Sequence, residues 1–188
     1  MKVHSTDING VLVIEPKVYR DNRGYFLEHY SKRHHAEAGI ECEFVQDNQS
    51  YSKKGVLRGL HYQLGQAQAK LVRVSHGSVF DVVVDVRRGS PTYKKWFGVE
   101  LSEANNKQLF IPEGLAHGFY VLSETAILQY KCSEFYSPKD ERGIRWNDPE
   151  IGIEWPIDKN AELTLSDKDA VYPVIAEMKE DDLPVYEN

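Results

Sequence analysis

Short apolar segments rich in valine, isoleucine, tyrosine and phenylalanine recur at roughly 8–12-residue intervals, which is the spacing of strands in an antiparallel sandwich or barrel. Glycine, proline, asparagine, aspartate and serine separate the segments and supply the turns. The pattern therefore predicts an all-β fold. The predicted strands cover residues 11–14, 25–30, 44–50, 56–63, 70–75, 79–86, 96–101, 108–111, 118–122 and 126–132.

Two short helices and a C-terminal tail complete the predicted secondary structure. Ser31 caps a helix over residues 32–38 that Gly39 ends, and a second helix is expected around residues 175–182. From residue 133 the chain is charged, but its tryptophan and isoleucine side chains are too apolar for a free linker. We therefore expect one domain over residues 1–188, with a barrel core at about 44–132, N-terminal strands at about 1–43 and a packed tail at about 133–188.

The charge of the chain argues against two classes of partner. Its 188 residues include 29 acidic and 23 basic side chains, for a formal net charge of -6. A field of that sign repels nucleic acid and offers nothing to an anionic membrane. The longest apolar stretch, residues 79–86, contains Asp81 and Asp85 and is far shorter than the roughly 20 residues that span a bilayer. We expect neither a nucleic-acid partner nor a membrane.

The cysteines and the N-terminus indicate a cytoplasmic protein. Cys42 and Cys132 are far apart and form no C-x-x-C motif, so neither a disulfide framework nor a zinc knuckle is indicated. Lys2, His4 and Asp7 stand where a signal peptide needs an apolar core.

Strand alternation predicts that two polar side chains point into the barrel. Lys70 shares a strand face with Val72 and Val74, because residues two apart lie on one face. Tyr130 likewise shares a strand face with Leu128 and Cys132. The alternatives are a surface lysine whose methylene stem packs on apolar atoms and a core tyrosine with a satisfied hydroxyl group.

The predicted strand over residues 56–63 carries a histidine in apolar surroundings. Arg58 and His61 have opposite parity, so both reach one pocket only if the strand bulges or kinks, and Gly59 is the residue that permits this. A lone histidine in a strand is more often structural than functional. Its chemistry therefore depends on a partner.

A second histidine follows the spacing P-x-G-x-x-H, with Pro112, Gly114 and His117, which resembles the second motif of cupins. Metal-binding cupins add an H-x-H pair and a glutamate, but the corresponding residues here are His61-Tyr62-Gln63. Because a glutamine amide is a poor ligand for a transition metal, we expect no metal.

Without a metal, His61 is available as a general base, since histidine titrates near neutral pH. An aspartate on the other ring nitrogen would fix its tautomer and stabilise the imidazolium. Residues 165–170 offer Asp167 and Asp169, and the residues alone do not choose between them.

Seven runs, in this order and spacing, closely resemble those of the dTDP-4-dehydrorhamnose 3,5-epimerase family. The agreement spans most of the chain, and several motifs together are a stronger signal than any one of them. The runs are DNRGYF at 21–26, FVQDN at 44–48, GVLRGLHYQ at 55–63, KLVRV at 70–74, FDVVVDVR at 80–87, IPEGLAHGF at 111–119 and WNDP at 146–149.

The resemblance implies a cupin-type double-stranded β-helix, a jelly-roll barrel, that needs no cofactor. Its members invert C3 and C5 of dTDP-4-keto-6-deoxyglucose. The family's base maps onto His61, its proton-donating tyrosine onto Tyr130 and the aspartate paired with the base onto Asp169, because the family motif ends in Lys-Asp.

The resemblance also implies substrate contacts and a homodimer. Lys70 and His117 match residues near the C4 oxygen, and Tyr136 matches an aromatic that stacks on thymine. The N-terminal strands of one subunit contribute to the site of the other. All residues that match substrate contacts are Arg23, Glu28, Gln46, Asn48, Arg58, Lys70, His117, Tyr136, Glu141 and Lys168.

Three other functions stay open at this point. Relatives with nearly the same motifs invert a single carbon or use another sugar nucleotide. A metal-dependent cupin would hold a stoichiometric metal ion, and a non-catalytic sugar-binding jelly roll would use His61 and Tyr130 only as pocket lining.

Overall fold

The structure, a computed structural model, describes residues 1–158 and 162–186. Strands dominate it, with two five-residue helices and two short 3₁₀ turns near the termini. The strands are β1 (Lys2–Ser5), β2 (Leu12–Glu15), β3 (Val18–Asp21), β4 (Gly24–Leu27), β5 (Gln46–Lys53), β6 (Leu57–Gln63), β7 (Lys70–His76), β8 (Ser78–Asp85), β9 (Trp96–Ser102), β10 (Gln108–Ile111), β11 (Leu115–Val121), β12 (Thr125–Cys132) and β13 (Glu141–Gly143). The helices are α1 (Lys32–Ala36) and α2 (Asp167–Val171), and the 3₁₀ turns are Ile175–Glu177 and Glu180–Asp182.

Two antiparallel sheets form the barrel. One has six strands in the order β1-β2-β10-β7-β12-β5, and the other has five in the order β13-β6-β11-β8-β9. Strands β3 and β4 pair separately as a hairpin. This is the predicted all-β jelly-roll barrel of the cupin type, and the prediction is confirmed.

Apolar side chains from both sheets meet between them. Val72 and Leu109 of the six-stranded sheet pack in one cluster with Val83 and Val121 of the five-stranded sheet, and none of these side chains is exposed. Lys70 and Tyr130 sit on strand faces that point into this layer, as the alternation predicted. The barrel interior is therefore apolar at one end and carries polar groups at the other.

The outer face of the five-stranded sheet and part of that of the six-stranded sheet are covered as well. The tail covers the five-stranded sheet, where Ile144 and Ile151 pack against Leu60 and Val84. A segment after α1 covers part of the six-stranded sheet. Because both faces of β8 are buried, its sequence is nearly continuously apolar rather than alternating.

Several short elements differ from the prediction. Strands β1, β3 and β13 were not predicted, and the strand expected over residues 25–30 is the shorter β4. These are edge or hairpin strands of three or four residues, which are too short to show a clear alternation. In contrast, Ser31 caps α1, and Gly39 ends that turn at a φ of 84°, as predicted.

The helix predicted around residues 175–182 is wrong. Two 3₁₀ turns occupy this segment, joined by extended backbone at Met178 and Lys179. The carbonyl group of Asp182 accepts a hydrogen bond from Tyr62 Oη at 2.7 Å, and its carboxylate accepts one from Arg142 Nε at 2.6 Å. These contacts dock the second turn on the barrel, and the extended backbone at Met178 and Lys179 separates it from the first turn. Among the described residues, no helix has the length and apolar character needed to cross a membrane.

The loop after β8 is organised by one buried carboxylate. Asp85 accepts hydrogen bonds from Arg87 Nε at 3.0 Å, from Ser90 Oγ at 2.6 Å and from Thr92 Oγ1 at 2.6 Å. Burial opposes ionisation of Asp85, but these hydrogen bonds outweigh it and lower its pKa. Asp21 makes the same Asp-x-Arg contact with Arg23, but on the exposed β3–β4 hairpin.

We expect Asp85→Asn to lower the free energy of unfolding at neutral pH by about 3 kcal/mol, because Arg87 loses a buried anionic partner. The stability that the Asp85 charge adds is present above the ordinary pKa of 3.8 and is lost as the pH falls through the lowered pKa of the folded state. Urea unfolding at several pH values should therefore show that the free energy of unfolding falls less with acid in Asp85→Asn than in the wild-type protein. The matched exposed variant, Asp21→Asn, should change the free energy of unfolding little. An equal loss in that variant would contradict the stabilising role given to the buried Asp85 carboxylate.

Candidate active site

Gly59 allows Arg58 and His61 to open into the same cavity. On the neighbouring strand, His117 pairs with His61 and Phe119 with Arg58, and the register shifts between these pairs. Gly59 has a φ of 117°, and a Cβ atom there would lie 2.5 Å from Gly118 Cα. The backbones of β6 and β11 are thus too close for a side chain. The predicted kink is confirmed, since one cavity of about 310 Å³ is lined by both Arg58 and His61.

His61 is held by an aspartate from the tail. Its Nε2 atom lies 2.5 Å from Asp169 Oδ1, across 108 residues of sequence. The Asp169 side chain is 4% exposed and that of His61 is 30% exposed. Asp167, the other candidate, is exposed to solvent. The hydrogen bond leaves His61 Nδ1 as the ring nitrogen available to a ligand.

The tail presents Asp169 because α2 is anchored at its start. Ser166 Oγ accepts a hydrogen bond from the Asp169 backbone at 3.1 Å and caps the helix. Just before the helix, Thr164 forms a parallel bridge with Val56, next to β6. Burial opposes ionisation of Asp169, but hydrogen bonds from His61, from Ser166 and from the backbone outweigh it and lower the pKa of its carboxyl group. The partner of His61 is therefore an anion.

A second histidine–aspartate pair lies beside the first. His117 Nε2 contacts both carboxylate oxygens of Asp81, at 2.9 and 3.0 Å, and both residues are buried. The prediction did not assign a role to Asp81, although an aspartate inside the apolar run of β8 was a visible signal. A buried carboxylate needs such a partner.

Lys70 is a cation inside the barrel without a carboxylate of its own. Burial lowers the pKa of its ammonium group, and the more distant Cys132, Asp81 and Glu141 offset part of this effect. Within residues 1–158 and 162–186, no carboxylate lies within ion-pair distance of Lys70. Its charge is therefore available to a ligand in the cavity.

Tyr130 faces His61 from the opposite sheet. It lies on β12 of the six-stranded sheet, whereas His61 lies on β6 of the five-stranded sheet. Burial raises the pKa of the Tyr130 phenol, so the group keeps its proton at neutral pH. His61, Lys70 and Tyr130 line two adjoining cavities of about 310 Å³ each.

Polar and aromatic side chains surround the cavity that Gln46, Tyr136 and Glu141 line. Tyr136 Oη donates to Glu141 Oε2 at 2.6 Å, and Lys168 pairs with the other oxygen of the same carboxylate. Gln46 Oε1 accepts from the Tyr136 backbone at 3.0 Å, and Gln46 Nε2 donates to Asn48 at 3.1 Å. Burial of Glu141 opposes ionisation, but Lys168 and Tyr136 outweigh it and lower its pKa. These residues form a connected rim.

Two predicted residues are not brought to this cavity. Arg23 lies at the tip of the β3–β4 hairpin, where its side chain is 85% exposed and bonds Asp21. Glu28 pairs with His34 and lines a neighbouring cavity of about 570 Å³, which shares Asn48 and Tyr130 with the His61 cavities but is not lined by His61. The remaining eleven predicted residues lie around the His61 cavities: Gln46, Asn48, Arg58, His61, Lys70, His117, Tyr130, Tyr136, Glu141, Lys168 and Asp169.

Gln63 has a structural role. Its amide donates to the carbonyl groups of Gln66 and Phe135 and accepts from the Ser137 backbone at 2.8 Å. These bonds occupy the polar atoms that a metal would need. Among the described residues, no group of three histidine, cysteine, aspartate or glutamate side chains has the geometry to hold a metal ion.

The cavity combines a base, a cation and an acid. His61, oriented by an anion, can accept a proton from carbon next to a carbonyl group. Lys70 and His117 can stabilise negative charge on the carbonyl oxygen, and Tyr130 can return a proton from the other side. The arrangement suits proton transfer at carbon.

Known proteins share this sequence and fold. The dTDP-4-dehydrorhamnose 3,5-epimerase of Shigella flexneri is 56% identical over 171 residues, which are 90% of this chain and 93% of the relative. A dTDP-6-deoxy-D-glucose-3,5-epimerase of Legionella pneumophila, crystallised with dTDP-4-keto-L-rhamnose, is 48% identical with a TM-score of 0.95 and covers 100% of this chain and 99% of its own. A 3'-monoepimerase of Streptomyces bikiniensis, crystallised with dTDP-quinovose, is 35% identical with a TM-score of 0.91, over 97% of this chain and 93% of its own.

The match extends over the barrel and the tail that carries Asp169. The family model for dTDP-4-dehydrorhamnose 3,5-epimerase covers residues 5–177, from β1 to the first 3₁₀ turn. Both His61 and Asp169 fall within it. The chain belongs to the dTDP-4-dehydrorhamnose 3,5-epimerase family.

Proposed function

We propose that this enzyme inverts C3 and C5 of dTDP-4-keto-6-deoxyglucose to give dTDP-4-keto-rhamnose, without a cofactor. The observation that carries the proposal is the placement of the His61–Asp169 pair and Tyr130 on opposite sheets around one cavity. Family membership supports the substrate and the reaction.

The C4 ketone activates both neighbouring carbons. Removal of the proton from C3 or from C5 gives an enolate whose charge collects on O4. Lys70 and His117 line the cavity beside His61, so their donors can meet that charge. The same base and the same oxyanion site therefore serve both carbons.

Inversion needs a proton to return on the opposite face of the sugar. His61 Nδ1 removes a proton from one side, and Asp169 stabilises the imidazolium that forms. The Tyr130 phenol, which burial keeps protonated, gives a proton from the other sheet. The two groups act across the ring.

The rim residues suit the nucleotide end of the substrate. Arg58, whose Nε donates to Ser52 Oγ at 3.1 Å, is exposed at the cavity and can bind a phosphate oxygen. Hydrogen bonding to Glu141 outweighs the effect of burial and raises the pKa of Lys168, so its charge persists. Tyr136 has an exposed ring that can stack on thymine.

A homodimer would complete the site. Arg23 and Glu28 match substrate contacts of the family but lie away from His61 in their own chain. The β3–β4 hairpin that carries Arg23 also exposes Tyr25 and Phe26, with 54% and 70% of their surface accessible. We infer that this hairpin reaches the cavity of a second copy.

The two free thiols, Cys42 and Cys132, support a cytoplasmic location.

A single-carbon epimerase is the second candidate. The 3'-monoepimerase of Streptomyces bikiniensis shares the fold at 35% identity, so the fold alone does not decide how many carbons react.

We expect wild-type enzyme in D₂O to place deuterium at both C3 and C5 of the 4-keto sugar nucleotide. His61→Ala should slow both exchanges by about 10²- to 10⁴-fold, because it removes the base. NMR of the sugar protons measures each carbon separately. His76→Ala, which removes an exposed histidine 3.3 Å from Glu103, is the control. Wild-type exchange at one carbon only would select the single-carbon alternative, and unchanged exchange in His61→Ala would refute the base.

We expect Tyr130→Phe to separate exchange from inversion. The variant retains the base and the oxyanion site, so deuterium should still enter, but inverted product should form far more slowly because the donor on the new face is gone. Product configuration by NMR, compared with total deuterium uptake, measures the ratio. Tyr51→Phe, at an exposed ring on β5, is the matched control. Normal product formation in Tyr130→Phe would remove Tyr130 from the mechanism.

The shared site predicts complementation between two inactive variants. Arg23→Ala and His61→Ala should each be nearly inactive at low substrate concentration, but a 1:1 mixture of refolded subunits should regain about one quarter of wild-type activity, since half of the dimers are mixed and each holds one complete site. No recovery in mixed dimers of confirmed mass would mean that Arg23 serves its own chain.

A further inference from the structure

Tyr172 contacts the ring of His61 from the side. Their ring centroids are 5.6 Å apart with an interplanar angle of 64°, an edge-on contact. Tyr172 directly follows α2, three residues after Asp169, so one short segment supplies both contacts with the imidazole. Asp169 bonds one ring atom, and Tyr172 packs against the ring itself.

The space for Tyr172 exists because residue 143 is glycine. Gly143 lies on β13 directly opposite His61 in the ladder with β6. A Cβ atom at this position would lie 2.4–2.5 Å from three atoms of the Tyr172 ring. Gly143 does not adopt a positive φ, so its backbone does not require glycine. The missing side chain is the feature that the Tyr172 ring needs.

Backbone contacts and the Lys168 side chain also hold Tyr172 in place. Arg145 Nε donates to the Tyr172 carbonyl at 3.0 Å, and the Arg145 backbone N–H donates to Pro173 O at 2.9 Å. The Lys168 ammonium lies 5.9 Å from the ring centroid. The hydroxyl oxygen is buried, and the nearby Lys168 ammonium group interacts with it, which offsets part of the rise that burial causes in the pKa of the phenol. The backbone contacts and the open space at Gly143 set where the ring lies.

We propose that Tyr172 is a positioning residue, seated in the space above Gly143, that fixes the rotation of the His61 ring so that Nδ1 faces the substrate carbon. The terminal torsion of histidine has broad energy wells, so a single hydrogen bond to Asp169 leaves the ring plane free to swing. The Tyr172 edge removes that freedom. This inference rests on the proposed role of His61 as the base, because ring orientation matters only if the ring transfers a proton.

Four variants and steady-state kinetics test the proposal. Tyr172→Ala should lower kcat by about 10- to 100-fold with KM changed less than about threefold, because the misplaced base affects the reacting geometry and not substrate affinity. Tyr172→Phe keeps the ring and should retain wild-type kcat. Gly143→Ala should lower kcat comparably, since its methyl group displaces the ring.

The double variant Gly143→Ala/Tyr172→Ala separates positioning from general damage. Once the ring is gone, the methyl group at residue 143 has nothing to displace, so the double variant should be no slower than Tyr172→Ala. If Tyr172→Ala does not fold, Tyr172→Leu, which fills space without an aromatic edge, replaces it in the cycle. Thermal unfolding of each variant verifies folding.

Three outcomes would overturn the inference. They are a wild-type kcat in Tyr172→Ala, a loss confined to KM, and additive losses in the double variant. A different result would contradict the proposed function, namely that the wild-type enzyme itself exchanges no carbon-bound hydrogen.

Discussion

The site depends on one hydrogen bond between parts of the chain that are 108 residues apart, from His61 on the barrel to Asp169 on the tail. A hydrogen-bond partner is needed to select one tautomer and one ring orientation of a histidine in an apolar barrel. Asp169 does so as a buried anion, kept ionised by His61, Ser166 and the backbone despite the cost of burial. The tail is thus part of the site and not only a cover for the five-stranded sheet.

The layering of the fold explains why the charge of Lys70 stays available. Apolar clusters cover the five-stranded sheet and part of the six-stranded sheet, and the interior is closed by apolar contacts at one end. In such surroundings an unpaired ammonium group is costly, which is why burial lowers the pKa of Lys70. His117 differs from Lys70 because Asp81 bonds its Nε2 atom, which leaves Nδ1 as the ring nitrogen that can act toward the cavity. Charge developing on a substrate oxygen would favour contact with Lys70.

The sequence predicted the barrel strands well where the alternation or the turn residues were clear. It predicted the short elements poorly, because contacts between distant parts of the chain determine them. The parity argument at Gly59 placed Arg58 and His61 in one cavity, and the structure agrees. Strand β13 is only three residues long, so no period was visible, although it places Gly143 opposite His61. The helix predicted around residues 175–182 is instead two 3₁₀ turns separated at Met178 and Lys179, and the second turn is docked by contacts of Asp182 with Tyr62 and Arg142 that no local pattern reports.

In the proposed mechanism, the number of carbons inverted depends on how the sugar ring is held. The protons removed from C3 and C5 would each have to come within reach of His61 Nδ1, and each new proton would come from the side of Tyr130, so the ring would adopt poses that satisfy both carbons in turn. A relative that inverts one carbon has the same fold, with a TM-score of 0.91. The shared fold therefore does not set that number, and in the proposed mechanism it depends on how rim residues such as Glu141 and Lys168 hold the nucleotide and, through it, the sugar ring. A firmly oriented imidazole makes that discrimination sharper, because a base that cannot swing can reach the second carbon only if the sugar itself turns.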